Sequence, residues 1–288
     1  MTALVKSLDQ AESDLMRACS DHAATQCDKT VRPIYANCLE KPRPKHVGSC
    51  ILLEIDGMRV LATAAHTADW TLKGIQLYVG GAIGKRLVAI PGIARTTIAP
   101  DGIREKDPFD FAFWVVSEDD ARALGRVVFL GKDRLSHNRA PPQARYFMAF
   151  GYARSRNKTR VDHRRKAIGV RTSRYTGTVV EMPDLAAELG VSGNQHLFLH
   201  FQQRAEAADG TQVNSFGPVG FSGGGLFDLG DFASPAIYAD YARRPAVLAG
   251  MMIEHHPQRD AVVAVKIGLV VESIRRALSE DRADKGNL

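Results

Sequence analysis

Gly217-Pro218-Val219-Gly220-Phe221-Ser222-Gly223-Gly224-Gly225 is the stretch that decides the reading of this chain. Glycine costs about 1 kcal/mol in a helix or strand interior, so a serine set among this many glycines is poor material for either. What the stretch offers is backbone free to take unusual angles, with N–H groups able to point at a ligand. A serine nucleophile beside an oxyanion hole needs both. An ordinary serine in a glycine-rich loop satisfies the same pattern, so the stretch has to be weighed with the rest of the chain.

Two upstream segments add to it. Val60-Leu61-Ala62-Thr63-Ala64-Ala65-His66-Thr67-Ala68 is an apolar strand that runs into small residues and then a histidine. Asp110-Phe111-Ala112-Phe113-Trp114-Val115-Val116 places an aspartate at the head of a second apolar run. Taken singly, His66 reads as a hydrogen-bonded structural histidine and Asp110 as a turn residue. Together they give the order His, Asp, Ser at separations of 44 and 112 residues. This resembles the chymotrypsin/trypsin-like serine peptidases of bacterial type, which carry TAAH, then D-(apolar)-A-(apolar), then G-x-S-G-G. The resemblance spans about residues 48–280.

The chemistry asks for these residue types. A serine hydroxyl is a weak nucleophile near neutral pH and needs a base within hydrogen-bond reach. Histidine suits that role because its ordinary pKa is about 6.5. A buried carboxylate holds the ring in the required tautomer and stabilises the imidazolium as it forms. The resemblance implies Ser222 as nucleophile, His66 as general base and then acid, and Asp110 as the orienting carboxylate. It implies the N–H groups of Gly220 and Ser222 as the oxyanion hole. Asp107 is the rival carboxylate, but Asp110 abuts the apolar run that would bury it. The same glycines also satisfy G-x-S-x-G, the nucleophile elbow of α/β-hydrolases. That motif should open a helix, which Gly223-Gly224-Gly225 does badly, and it leaves the segments around His66 and Asp110 unexplained. A binding or scaffold protein on a protease fold, with an idle or partner-gated triad, is the reading of a different class.

Length and composition bound the rest. A chain of 288 residues with 45% apolar residues can bury a large core, as one large domain or as two lobes. No run reaches the ~18 apolar residues of a membrane span, so no membrane association is expected. The first fifteen residues mix acids into what would be a signal sequence's apolar stretch, so no secretory signal is expected. All four cysteines (Cys19, Cys27, Cys38, Cys50) fall in the first fifty residues and match no common zinc spacing. Within the peptidase-like region Cys50 has no partner. A cytoplasmic location is therefore expected, with a bridge among the N-terminal cysteines, or from one of them to Cys50, left open.

Apolar residues at helical spacing predict an amphipathic helix over residues 3–19, and Pro33, Pro42 and Pro44 make residues 28–46 an extended connection. From Val47 the pattern turns to short β-type runs. Gly48–Ile55 and Met58–Thr63 flank Asp56-Gly57, a hairpin signal. Ile75–Val79, Arg86–Ile90, Phe111–Val116 and Arg126–Leu130 complete a first set of six. After a polar link at 131–143, a second six comprises Arg145–Tyr152, Arg174–Glu181, Gln195–Gln202, Gly224–Asp228, Ala246–Ile253 and Ala261–Ile267. The expected fold is all-β: the double six-stranded barrel of the resembled family, with an N-terminal helical extension and a C-terminal helix. The expected boundaries are 1–46 for the extension and 47–280 for the peptidase domain, with barrels at 47–131 and 144–268 and a helix at 269–280. Residues 281–288 read as a polar tail.

Residues 154–166 hold seven Lys or Arg, enough to account for the net charge of +6. They read as a solvated loop or as a site for an anionic partner. His200, His255 and His256 lack a third ligand at supportive spacing, so neither metal nor cofactor is expected. The resemblance makes Ile253, Glu254 and His255 the strand edge that pairs with a protein or peptide substrate, and Phe216 the base of the primary pocket. Phe216 cannot offer the charge pairing that an aspartate there gives Arg or Lys, so a small or medium apolar residue is expected before the scissile bond. Glu254 near the rim is the main threat to this, since a carboxylate turned inward would restore a basic preference. Phe221 replaces the aspartate that digestive members pair with a newly released N-terminus, so no activation cleavage is expected.

Overall fold

The computed structural model describes residues 8–37, 44–80, 87–136, 145–157, 160–162, 167–206, 211–234 and 236–286. Within them the chain is mostly β. An N-terminal helix α1 (Leu8–Cys27) leads into a seven-stranded sheet of β1 (Val31–Ala36), β2 (Lys45–Ile55), β3 (Met58–Ala64), β4 (Leu77–Gly80), β5 (Leu87–Ala89), β6 (Arg95–Thr96) and β7 (Phe111–Val115). Its order is β5-β4-β1-β2-β3-β7-β6. Short helices α2 (Ala65–Ala68) and α3 (Glu118–Leu124) follow β3 and β7.

The second half forms a closed barrel. Six of its strands are β8 (Arg145–Gly151), β11 (Ser173–Val180), β12 (His196–His200), β15 (Gly225–Asp231), β16 (Val247–His256) and β17 (Ala261–Lys266). Their order is β11-β12-β17-β16-β15-β8, and they are the six runs expected from the sequence. Two hairpins decorate it, β9 (Arg160–Asp162) with β10 (Ala167–Gly169) and β13 (Arg204–Glu206) with β14 (Gln212–Asn214). Helices α4 (Pro183–Leu189), α5 (Ala236–Asp240) and α6 (Ile267–Gly286) complete the chain.

The strand period of two sorts the core. Cys50 and Leu52 of β2 face a cluster inside the first sheet with Ile34, Leu61 and Trp114. Their neighbours Ile51 and Leu53 face a second cluster shared with Met148 and Phe150 of β8. Phe147 and Ala149, alternate on β8, face the barrel interior with Leu197, Leu226 and Val262. Both sheets and α1 and α6 contribute to the shared cluster, so sheet and barrel are joined by continuous apolar packing.

Several expectations are corrected. The first set makes a seven-stranded sheet, not six strands. Residues 31–36, expected as connection, form the fully buried β1 between β2 and β4. Pro33 is tolerated because the pairing with β4 begins at Ile34, so no N–H is needed there. Arg126–Leu130 is not a strand; it offers one bridge, Leu53 to Leu130. The C-terminal helix begins at Ile267 and runs through Gly286, so most of the expected tail is helical. Cys19, Cys27 and Cys50 are buried and unpaired; Cys38 lies outside the described residues. Burial pushes the Cys50 thiol up to about 12. Among the described residues no helix is long and apolar enough to cross a membrane.

Candidate active site

Pairing of β3 with β7 sets Ala64 opposite Phe111, which brings the residues after one strand against those before the other. His66 therefore meets Asp110. Ala65 N–H donates to Asp110 O at 2.8 Å, and His66 N–H donates to Asp110 Oδ1 at 2.9 Å. His66 Nδ1–H donates to Asp110 Oδ2 at 2.6 Å, because an ionised carboxylate can only accept. That leaves Nε2 with its lone pair available. Asp110 is buried and adopts φ 39°, a left-handed conformation that costs a non-glycine residue roughly 1–3 kcal/mol. The bonds to the His66 backbone and ring over-determine it.

Burial works to lower the His66 pKa. The hydrogen bond and charge of Asp110, helped by the charges of Glu254 and Asp69, outweigh it and leave the value raised. Burial also raises the Asp110 carboxyl, opposed by the bonds and charge of His66. Asp107 is differently employed. It accepts from Arg104 Nη1 at 2.6 Å, from the Thr97 hydroxyl and from Phe109 N–H at 3.0 Å, while Arg104 also donates to Asp69.

Ser222 sits on a loop bonded to both halves. Ser49 N–H of β2 donates to Ser222 O at 2.9 Å, and Gly223 N–H donates to Met252 O of β16 at 2.7 Å. The Ser49 hydroxyl donates to Gly220 O at 2.8 Å and accepts from Tyr152 N–H at 3.0 Å. The loop lies against the histidine segment: a Cβ on Gly48 would be 2.7 Å from Thr67 Oγ1 and 3.3 Å from Ser222 O. Gly220 and Gly223 need their glycines, at φ 95° and 80°. Among the described residues, neither Gly220 N–H nor Ser222 N–H donates to a protein acceptor, and no hydrogen bond joins the Ser222 hydroxyl to His66.

His46 forms one wall of this loop. It is buried, and among the described residues neither ring nitrogen makes a well-formed hydrogen bond, the approach to the Gly48 backbone being a weak one. Its Cε1 would be 2.7 Å from a Cβ on Gly220. Burial drives its pKa down to about 4, keeping the ring neutral against the glycine.

Of the other expected site residues, Phe216 stacks on Phe221 with centroids 4.9 Å apart and meets Phe201 edge-on. The Arg156 guanidinium lies 5.0 Å over its ring, and His255 packs on Phe201 from another side. Ile253 and Glu254 instead line a cleft of about 360 Å³ with Asp107, Pro108 and Leu189. Glu254 accepts from His256 Nε2 at 2.8 Å. The structure thus unites His66 with Asp110 and sets Phe216 and His255 both against Phe201, while Glu254 lines the cleft with Ile253. Ser49 and His46 were missed, since HVGSC carries no motif. Thr63, whose hydroxyl donates to Ser49 O at 2.6 Å, lay inside the LATAAH stretch without a role. Of residues 154–166, Lys158, Thr159 and 163–166 lie outside the described residues. Among the described residues no group of three or more His, Cys, Asp or Glu could hold a metal ion.

No family model matches the chain, and no curated protein matches it. Among solved structures it is similar to the serine endoprotease from Yersinia pestis, with 13% identity, a TM-score of 0.49, 89% of this chain covered and 65% of that one. The chain thus spans a little under two thirds of that protein's length. A likeness at this level carries no argument about activity.

Proposed function

We propose that the chain is a serine endopeptidase that hydrolyses peptide bonds through a His66-Asp110-Ser222 triad and an acyl-enzyme, on a chymotrypsin-like double-barrel plan with the cleft between its halves. The observation that carries this reading is the His66–Asp110 pair, with Nδ1 bonded at 2.6 Å and Nε2 left as acceptor. The unengaged N–H groups of Gly220 and Ser222 supply the charge stabilisation an acyl transfer needs. Hydrogen bonds between nucleophile and base often form only in the substrate complex. We place the protein in the cytoplasm, consistent with three buried, unpaired thiols. An anionic partner at residues 154–166 remains part of the proposal.

A fluorophosphonate probe tests the reading without a substrate. Full-length protein is expected to label at Ser222 without trimming, because Phe221 cannot pair with a released N-terminus. Absence of labelling would favour the binding or partner-gated alternative, which the missing Ser222–His66 bond supports. Labelling only after the first ~45 residues are removed is disfavoured by β1, whose loss would open the first sheet.

Phe216, Ile253, Glu254 and His255 are proposed to bind the substrate, with a small or medium apolar side chain before the scissile bond. Phe216 brings no negative charge, Arg156 stands over it, and Glu254 is engaged by His256. Cleavage of a peptide library mainly after Arg or Lys would overturn this.

A further inference from the structure

Asn157 is buried, and every polar group of its side chain is engaged. Nδ2 donates to Ala153 O at 2.9 Å and to Arg171 O at 2.8 Å, and Oδ1 accepts from Arg171 N–H at 2.7 Å. Its own N–H donates back to Ala153 O at 3.1 Å, closing a tight turn over residues 153–157. The side chain therefore ties that turn to the segment that enters β11. Two more bonds, Arg156 N–H to Ala153 O at 3.1 Å and Asn157 N–H to Arg154 O at 3.2 Å, stay within the turn, and one leads out of it to the Ser222 loop. Arg154 N–H donates to Val219 O at 2.7 Å.

That bond fixes more than a loop position. Val219 C=O and Gly220 N–H belong to one planar, trans peptide unit, so they point in opposite directions. Holding the carbonyl on Arg154 aims the N–H away from it, and that N–H has no protein acceptor among the described residues. Val219 itself is exposed and gives the peptide little side-chain anchorage. Phe221 N–H to Pro218 O at 2.8 Å closes the turn around this peptide. At φ 95° the glycine has no Cβ to bar a flip, so the Arg154 bond is the one made to the peptide's own carbonyl.

We propose that Asn157 is a positioning residue for the oxyanion donor, acting through the Arg154 N–H to orient the Val219–Gly220 peptide. The inference rests on Ser222 being the nucleophile, and its failure is separable from failure of that reading. If wild-type protein does not label with a fluorophosphonate, the proposed function fails; if it labels and Asn157 proves irrelevant, only this inference does.

The test is the concentration dependence of fluorophosphonate labelling, whose phosphoryl oxygen uses the same N–H. For Asn157→Ala the maximal labelling rate is expected to fall about 10–100-fold, less than or comparable to loss of a whole oxyanion donor. Half-saturating probe concentration should stay within about two-fold, since ground-state binding does not use that N–H. Arg154→Pro deletes the N–H itself while leaving the Asn157 bonds in place, and the same selective loss is expected. An unchanged maximal rate in either variant overturns the proposal. So does an effect confined to half-saturation, or loss of the cooperative thermal transition in both variants, which would make Asn157 a support of the fold alone.

Discussion

Ser222→Ala, His66→Ala and Asp110→Asn are each expected to lower kcat/KM by roughly 10⁴-fold or more while leaving the thermal transition in place. The losses should be strongly non-additive, because nucleophile, base and orienting carboxylate act as one unit. Asp110→Asn replaces an acceptor by an amide, whose N–H₂ would turn the imidazole toward the wrong tautomer. Asp107→Asn is the informative contrast. Its carboxylate is engaged by Arg104, Thr97 and the Phe109 backbone, so the expected damage is to stability, with kcat near wild type. If Asp107→Asn abolished activity and Asp110→Asn did not, the assignment would be wrong. The pH profile adds a signed test. Catalysis needs His66 neutral, and Asp110 raises its pKa, so kcat/KM should climb with pH through a value above the ordinary histidine figure of about 6.5. A midpoint below that figure would contradict the His66–Asp110 pairing.

What could be read from the sequence follows from where the determinants lie. The six barrel strands were legible because each is an apolar run bounded by turn residues, and the His66–Asp110 neighbourhood because both residues cap such runs. Arg126–Leu130 has the same apolar content, yet Leu53 gives it only one bridge, and strand pairing is decided by a partner's edge that local pattern does not reveal. Residues 118–124 did carry a readable signal. Ser117 caps the helix, accepting from Asp120 N–H at 3.1 Å, with Glu118, Asp119 and Asp120 in the first turn. The next class of residue had no local signal at all. Ser49 acts through Gly220 and Tyr152, far along the chain, and Asn157 through the backbone of Ala153 and Arg171. An isolated serine or asparagine looks the same whatever it bonds to. The positive φ of Asp110 is likewise a product of the assembled site, not of its neighbours in sequence.

Gly223→Ala is expected to be the most damaging single methyl in the chain. A Cβ there would lie 2.1 Å from Ser49 O, 2.3 Å from Thr63 Oγ1 and 2.9 Å from Thr63 Cα, none of them a flexible side-chain end. Backbone φ of 80° adds strain for any residue with a Cβ. The displaced groups are already bonded to one another: Thr63 to Ser49 O, and Ser49 N–H to Ser222 O. Relief would have to separate the Ser222 loop from β2 and β3, or pull Gly223 N–H off Met252 O on the barrel side. Either route breaks buried hydrogen bonds at the junction of the two halves. The expected cost is about 4 kcal/mol or more, in the range reserved for overpacking combined with forbidden backbone. The midpoint of chemical denaturation should fall accordingly, and whatever folded protein remains should label with fluorophosphonate far more slowly. Gly217→Ala, in the same stretch, meets nothing within 4 Å and should leave both measurements near wild type. Equal tolerance of the two substitutions would mean that the Ser222 loop is not wedged between sheet and barrel.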